Sequence, residues 1–212
     1  DFLYLAYVVA PLFQGAKLTA NTVQTPAWMQ EAGKPMVLVI EEQNQIGMRV
    51  SDKGEALFFH LSDGSELSRV VLPVPAGAHV TSVAQDQPGK PLIAVGLSNG
   101  QVLVFKHAYP ISYPGNTKTI TPAVTYPYGE TPIVLDEEGR ALEHISLNAN
   151  DSTLILAGAT GTQLHVLSLT QAENLMTGET TNEQSRIDLP QLSATVKAIY
   201  VDPRQQWLYV IN

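Results

Sequence analysis

Apolar and polar positions return in one arrangement four times along this chain. Ser82-Val83-Ala84-Gln85-Asp86 leads to the apolar run Leu92-Ile93-Ala94-Val95-Gly96, the turn Ser98-Asn99-Gly100 and a second run, Val102-Leu103-Val104-Phe105. A shift of 62 residues reproduces it with every spacing kept: His144-Ile145-Ser146-Leu147-Asn148, Leu154-Ile155-Leu156-Ala157-Gly158 and Leu164-His165-Val166-Leu167. A shift of 46 the other way places Val37, Ile46-Gly47-Met48-Arg49-Val50, Gly54 and Ala56-Leu57-Phe58-Phe59 on the same positions. Moving 54 beyond the third copy does the same for Ile199 and Leu208-Tyr209-Val210-Ile211. Strand after strand with turn residues between, repeated at this period, predicts blades of a β-propeller.

The run at 92–96 and its copy at 154–158 are apolar on both faces instead of alternating, as a sheet sandwiched between two others requires. Ser68-Arg69-Val70-Val71-Leu72-Pro73 and Ser185-Arg186-Ile187-Asp188-Leu189-Pro190 are near copies of each other and read as outer strands, where Pro ends the pairing. The pattern therefore predicts an all-β chain of WD40-like repeats, mostly four-stranded antiparallel blades. About three and a half blades fit, near residues 33–73, 74–124, 142–190 and 194–212, in a partial propeller over 16–212 whose ring is incomplete. Lys17-Leu18-Thr19-Ala20-Asn21-Thr22-Val23-Gln24 is a further strand expected to pair with the last blade, and Pro26-Ala27-Trp28 a connection. Two insertions break the period. Residues 109–139 carry five prolines and four tyrosines and form a long connection or a recognition surface, while residues 171–184 are polar and read as a mobile loop.

Composition narrows the classes of partner. Twelve basic against twenty acidic residues give a net charge of −8 over 212 residues, which opposes a nucleic-acid backbone as a direct partner. The absence of cysteine excludes disulfides and thiol catalysis and leaves the compartment open. The first fifteen residues are the exit end of a truncated transmembrane helix or an N-terminal lead, either strand or core helix. Phe2-Leu3-Tyr4-Leu5-Ala6-Tyr7-Val8-Val9-Ala10 is apolar with interleaved aromatics but is shorter than the roughly 20 residues that span a bilayer.

Candidate chemistry is sparse. Gly96-Leu97-Ser98-Asn99-Gly100 matches the nucleophile-elbow pattern, but a strand follows it where an elbow needs a helix, so a hairpin turn explains it better. Gly158-Ala159-Thr160-Gly161 lacks the Lys-Ser/Thr of a phosphate loop, and Asn150-Asp151-Ser152, formally a glycosylation sequon, has the composition of a turn. His60, His79, His107, His144 and His165 fall at different repeat positions with no zinc-site spacing, and Asp136-Glu137-Glu138-Gly139 reads as a solvated turn. Asp86, Asn148 and Asp202 share one repeat position at the ends of inner strands. There they would serve either as turn residues or as groups converging on a central channel. No catalytic, cofactor-binding or metal-ligating residue is assigned, and no cofactor is expected.

An apolar lead, Phe2 through Gly15-Ala16, running directly into propeller repeats resembles the large extracytoplasmic insertion of gammaproteobacterial phosphate ABC-transporter permeases of the PstC type. The resemblance implies a non-catalytic, periplasm-facing domain at the bacterial inner membrane that acts as an interaction or regulatory platform in phosphate import. Its implied partners are the remaining permease membrane domain, the other transporter subunits and the periplasmic phosphate-binding protein. Two alternatives stand beside it: a propeller enzyme of lactonase or dehydrogenase type with a metal in the channel, and a soluble periplasmic scaffold. An incomplete ring also predicts self-association through open edges.

Overall fold

The computed structural model of the protein describes the backbone of residues 3–10, 17–24 and 37–41 and all atoms of residues 46–87 and 90–212. In chain order the strands are β1 (Leu3–Ala10), β2 (Lys17–Gln24), β3 (Val37–Glu41), β4 (Ile46–Val50), β5 (Glu55–His60), β6 (Glu66–Val71), β7 (Val80–Gln85), β8 (Leu92–Leu97) and β9 (Gln101–Ala108). There follow β10 (Ile111–Ser112), β11 (Thr119–Ile120), β12 (Ala123–Thr125), β13 (Ile133–Val134), β14 (His144–Ala149), β15 (Thr153–Thr160), β16 (Gln163–Glu173), β17 (Thr180–Ile187), β18 (Ala198–Val201) and β19 (Leu208–Ile211). Among the described residues the helical content is one 3-10 turn, Pro114–Asn116.

The strands form antiparallel blades, as the repeat predicts. Blade one has the order β3-β4-β5-β6, blade two β7-β8-β9-β12 with β13 also on β9, and blade three β14-β15-β16-β17. The fourth sheet, β18-β19-β1-β2, takes two strands from each end of the chain. Among the described residues four blade sheets are thus present, beside the two-stranded β10-β11 ribbon, where the repeat count leaves the last blade at half, and the propeller ring they belong to is not closed.

Period-two alternation decides which way each blade faces. In β8, Ile93, Val95 and Leu97 pack with Met48, Phe58 and Phe105 between blades one and two, while Leu92 and Ala94 point the other way. They meet Leu147, Leu154 and Leu156 of blade three. On β15 the next residues over, Ile155, Ala157 and Ala159, face Ile199, Val201, Leu208 and Val210 of the fourth sheet. Each inner strand therefore contributes to two cores at once, which is why these runs carry no polar face. Phe58, Phe105, Ile93 and Ile155 are fully buried.

Three expectations are corrected. Residues 3–10 are a strand, not the end of a helix: Val, Tyr and Leu suit an extended chain, and the backbone pairs on both sides, with β19 and with β2. The expected pairing of residues 17–24 with the last blade holds, but through β1. Residues 171–184 are not a loop, since β16 and β17 continue as a ladder out to Glu173↔Thr180. In blade two the fourth strand is split. β12 and β13 pair with opposite ends of β9, and between them Tyr126–Pro132 bulges out, because Pro127 and Pro132 have no N–H to give to a ladder. The Pro26-Ala27-Trp28 connection and residues 11–16 lie outside the described residues.

Candidate functional site

Of the shared repeat position, Asp86 and Asn148 are brought together blade to blade, and Asp202 is not. Asp86 Oδ1 accepts a bond from Asn148 Nδ2 at 3.2 Å, and its Oδ2 accepts one from the Ala149 N–H at 3.2 Å. Lys90 bridges the same pair, its ammonium donating to the Ala149 carbonyl at 3.0 Å and lying 3.8 Å from Asp86 Oδ2. Gln205 continues the chain into the fourth sheet. Its Nε2 donates to the Asn148 carbonyl (3.0 Å), to Asn148 Oδ1 (3.2 Å) and to the Thr153 carbonyl (2.9 Å), and its Oε1 accepts from Asn150 Nδ2 (3.1 Å). These bonds hold Gln205 at φ 57°, a left-handed conformation that costs a non-glycine residue about 1–2 kcal/mol. Asp202 turns inward on its own loop, accepting from the N–H groups of Gln206 and Trp207. Two of the three side chains at the position where a propeller enzyme would gather ligands, Asp86 and Asn148, are here committed to joining blades, and the third, Asp202, to its own turn. Gln205 carries no sequence signal, since it lies three residues past the repeat position.

At the other end of the blades, a polar cleft of about 230 Å³ opens where blades two and three meet. Its floor is the segment after β13. The N–H groups of Leu135 and Asp136 both donate to the Gly100 carbonyl, at 3.0 and 2.9 Å. Gly100 has φ +81°, and a Cβ there would stand 2.7 Å from the Asp136 carbonyl, so only glycine permits this approach. That, with the turn bonds of Asn99 to Gln101, accounts for the elbow-like motif without a nucleophile. Ser98 Oγ instead accepts the His79 N–H at 3.0 Å.

Residues 137–139 are the exposed turn expected, but Asp136 is 3% exposed, which corrects the reading at that residue. Its Oδ1 accepts the Glu138 N–H (3.0 Å), and its Oδ2 accepts the Arg140 N–H (3.1 Å) and Arg140 Nε (2.9 Å). Burial would raise this carboxyl, but the Arg140 side chain, the two N–H donors and nearby His165 outweigh it and hold it below its ordinary value. Arg186, on β17, donates Nη1 to the Leu135 carbonyl at 2.7 Å and Nη2 to the Val134 carbonyl, while its Nε lies 3.0 Å from Glu137 Oε1. The outer strand of blade three is thereby fastened to the segment leaving blade two. Its counterpart in blade one, Arg69, pairs with Glu55 and Glu66 instead, so the likeness of the two outer strands did not disclose this role.

His165 stands where the preceding copy has Leu103, a residue of the core between blades one and two. It faces blade two in the same way, and its buried Nε2 lies 3.7 Å from Asp136 Oδ2 with no hydrogen-bond partner. Burial pushes the imidazole below its ordinary value; Asp136 opposes this, and Arg140 and Arg186 add to it. The cleft thus presents a neutral imidazole beside two fixed guanidinium groups, with the exposed carboxylates of Glu137 and Glu138 at its rim. Such a lining offers hydrogen bonds and charge to a polar segment of a partner. Among the described residues no group of three or more His, Asp and Glu side chains is placed to hold a metal ion, and the five histidines do not assemble. The Asn150 sequon is a turn, its Oδ1 accepting from Ser152 and Thr153.

No protein-family model matches the chain, and no curated protein matches it. Among solved structures it is similar to the β-propeller domain of Cps50 (Swd1) from Myceliophteria thermophila, at 11% identity and a TM-score of 0.49 over 93% of this chain. The chain spans 61% of the length of that domain. It is also similar to the computationally designed Ika4 protein, at 15% identity and a TM-score of 0.34, covering 73% of this chain and 72% of that one.

Proposed function

We propose that this chain is a non-enzymatic protein-interaction domain that offers the blade two–blade three cleft and the outer strands beside it to a partner. The observation that carries this reading is the use of Asp86, Asn148 and Gln205 as ties between blades, which leaves the polar groups of the rim as those available to a ligand. At the finer level we propose the extracytoplasmic domain of a phosphate importer's permease, facing the periplasm at the inner membrane and docking the phosphate-binding protein. Its support is the resemblance of residues 2–16 and the repeats that follow. The strand at Leu3–Ala10 counts against reading that run as a helix exit, and among the described residues no helix is long and apolar enough to cross a membrane.

The test is capture of purified phosphate-binding protein, and separately of the permease membrane domain, on the immobilised chain and on its Glu137→Lys/Glu138→Lys variant. The reading expects retention by the native chain and at least tenfold weaker retention by the variant. Retention of neither probe would sink the importer reading. A stoichiometric metal in the purified chain, with turnover of a lactone or alcohol, would overturn the non-enzymatic one.

A further inference from the structure

The ladder of β16 and β17 runs on beyond the core of blade three as a two-stranded arm. From residue 171 to residue 185 every residue is exposed, whereas Leu169, just before, is buried. At about 3.3 Å per residue the arm stands roughly 15 Å clear of the blade. Its tip is built tightly. Asn174 N–H donates to the Glu179 carbonyl (2.8 Å), the Asn174 carbonyl accepts from Gly178 N–H (2.7 Å), and Asn174 Oδ1 accepts from Met176 N–H (2.9 Å). With the backbone so pinned, Leu175 and Met176 point outward, 94% and 95% exposed, the most exposed large apolar side chains among the described residues. Beside them stand Glu173 and Glu179, Glu183 lies at the base of the arm opposite Thr170, and residues 171–185 contain no Lys, Arg or His.

We infer that this arm is a docking element whose Leu175–Met176 tip enters an apolar depression ringed by basic side chains on a partner protein. The inference rests on the interaction-domain reading and adds the element and the chemistry of its partner. Charge complementarity selects that partner. At this tip a second copy of this chain, with its net charge of −8, is disfavoured as an occupant, as is an anionic lipid surface, because the carboxylates of Glu173 and Glu179 flank it. A bulky, flexible Met beside Leu suits insertion into an irregular apolar recess.

The probes are a labelled 14-residue amphipathic peptide of Lys and Leu, its Glu-for-Lys counterpart, and phosphatidylglycerol/phosphatidylcholine vesicles. Each is titrated against the full chain and against Leu175→Ser/Met176→Ser, which leaves the charge untouched. A second variant replaces residues 172–181 by Asn-Gly, joining the paired Gln171 and Asn182. The expected result is binding of the basic peptide that falls at least tenfold in both variants, with no binding of the acidic peptide or the vesicles. Equal binding by native and Ser variant, binding of the vesicles through the tip, or no binding of the basic peptide overturns the inference. Circular dichroism of the shortened form controls for folding. Capture of the phosphate-binding protein or membrane domain by both native and arm-shortened chains would leave the interaction-domain reading standing while the arm falls; failure of capture by both forms removes the importer reading, and the peptide titration then decides the arm alone.

Discussion

Blade two divides its outer strand into β12 and β13, whereas blade three lengthens its own into an arm that leaves the molecule. Through their first three strands the two blades follow one apolar template, although their ladders are set one residue apart, Ile93 pairing with Phe105 and Ile155 with Ser168. The difference lies in what each strand must satisfy. β8 and β15 are gripped on both faces by neighbouring blades, so a slip of one residue would exchange two cores at once. The fourth strand has one free edge and a wet face, and nothing beyond it fixes length or register. Variation, and with it recognition, collects there.

This contrast can be broken at its rigid end first. Phe105→Ala removes a fully buried ring from the core between blades one and two and should cost about 3–5 kcal/mol in urea unfolding. Asp136→Ala, at the seam where blade three is fastened, strips acceptors from Arg140 and the Glu138 N–H. A loss of about 2–3 kcal/mol is expected by the same measurement; a loss under about 0.5 kcal/mol would show that the seam does not hold the blades.

The pH profile sharpens the same point. His165 and His144 are both held below their ordinary values by burial, so the unfolded chain takes up protons that the folded chain refuses. Stability they contribute is complete above about pH 6.5 and is lost as pH falls through their lower folded values. Asp136, also depressed, adds its loss only below about pH 4. Melting followed between about pH 7 and pH 5 should therefore fall, and His165→Leu, which restores the residue of the preceding copy, should flatten that slope in part while His144 retains its share. An unchanged slope would exclude His165 from the seam. The smallest effect belongs to the arm. Replacing residues 172–181 by Asn-Gly should move stability by no more than about 0.5 kcal/mol, because those side chains touch no core.

The inner strands were legible because packing on two faces writes itself into the sequence: the template placed the starts of β4 and β5, β8 and β9, β15 and β16, and β18 and β19 within a residue or two. The elements it missed are those whose constraint lies elsewhere. Glu173 and Thr180 pair across the arm with no apolar residue to mark the ladder, so polarity there reads as a loop. Asp136 sits in a run of acids that looks solvated, and its burial follows from Gly100, which lies on another turn, and from Arg140 at the end of its own. Leu3–Ala10 is apolar enough for either a helix or a strand paired on both edges, and its length alone does not choose.

The most direct measurement is hydrogen exchange across blades two and three of the native chain. The account predicts that amides of residues 92–106 and 144–169 are protected together and lose protection together in Asp136→Ala, while those of 172–181 exchange at least about a thousandfold faster in both forms. Independent opening of the two blades, or an arm as protected as the strands it extends, would contradict it.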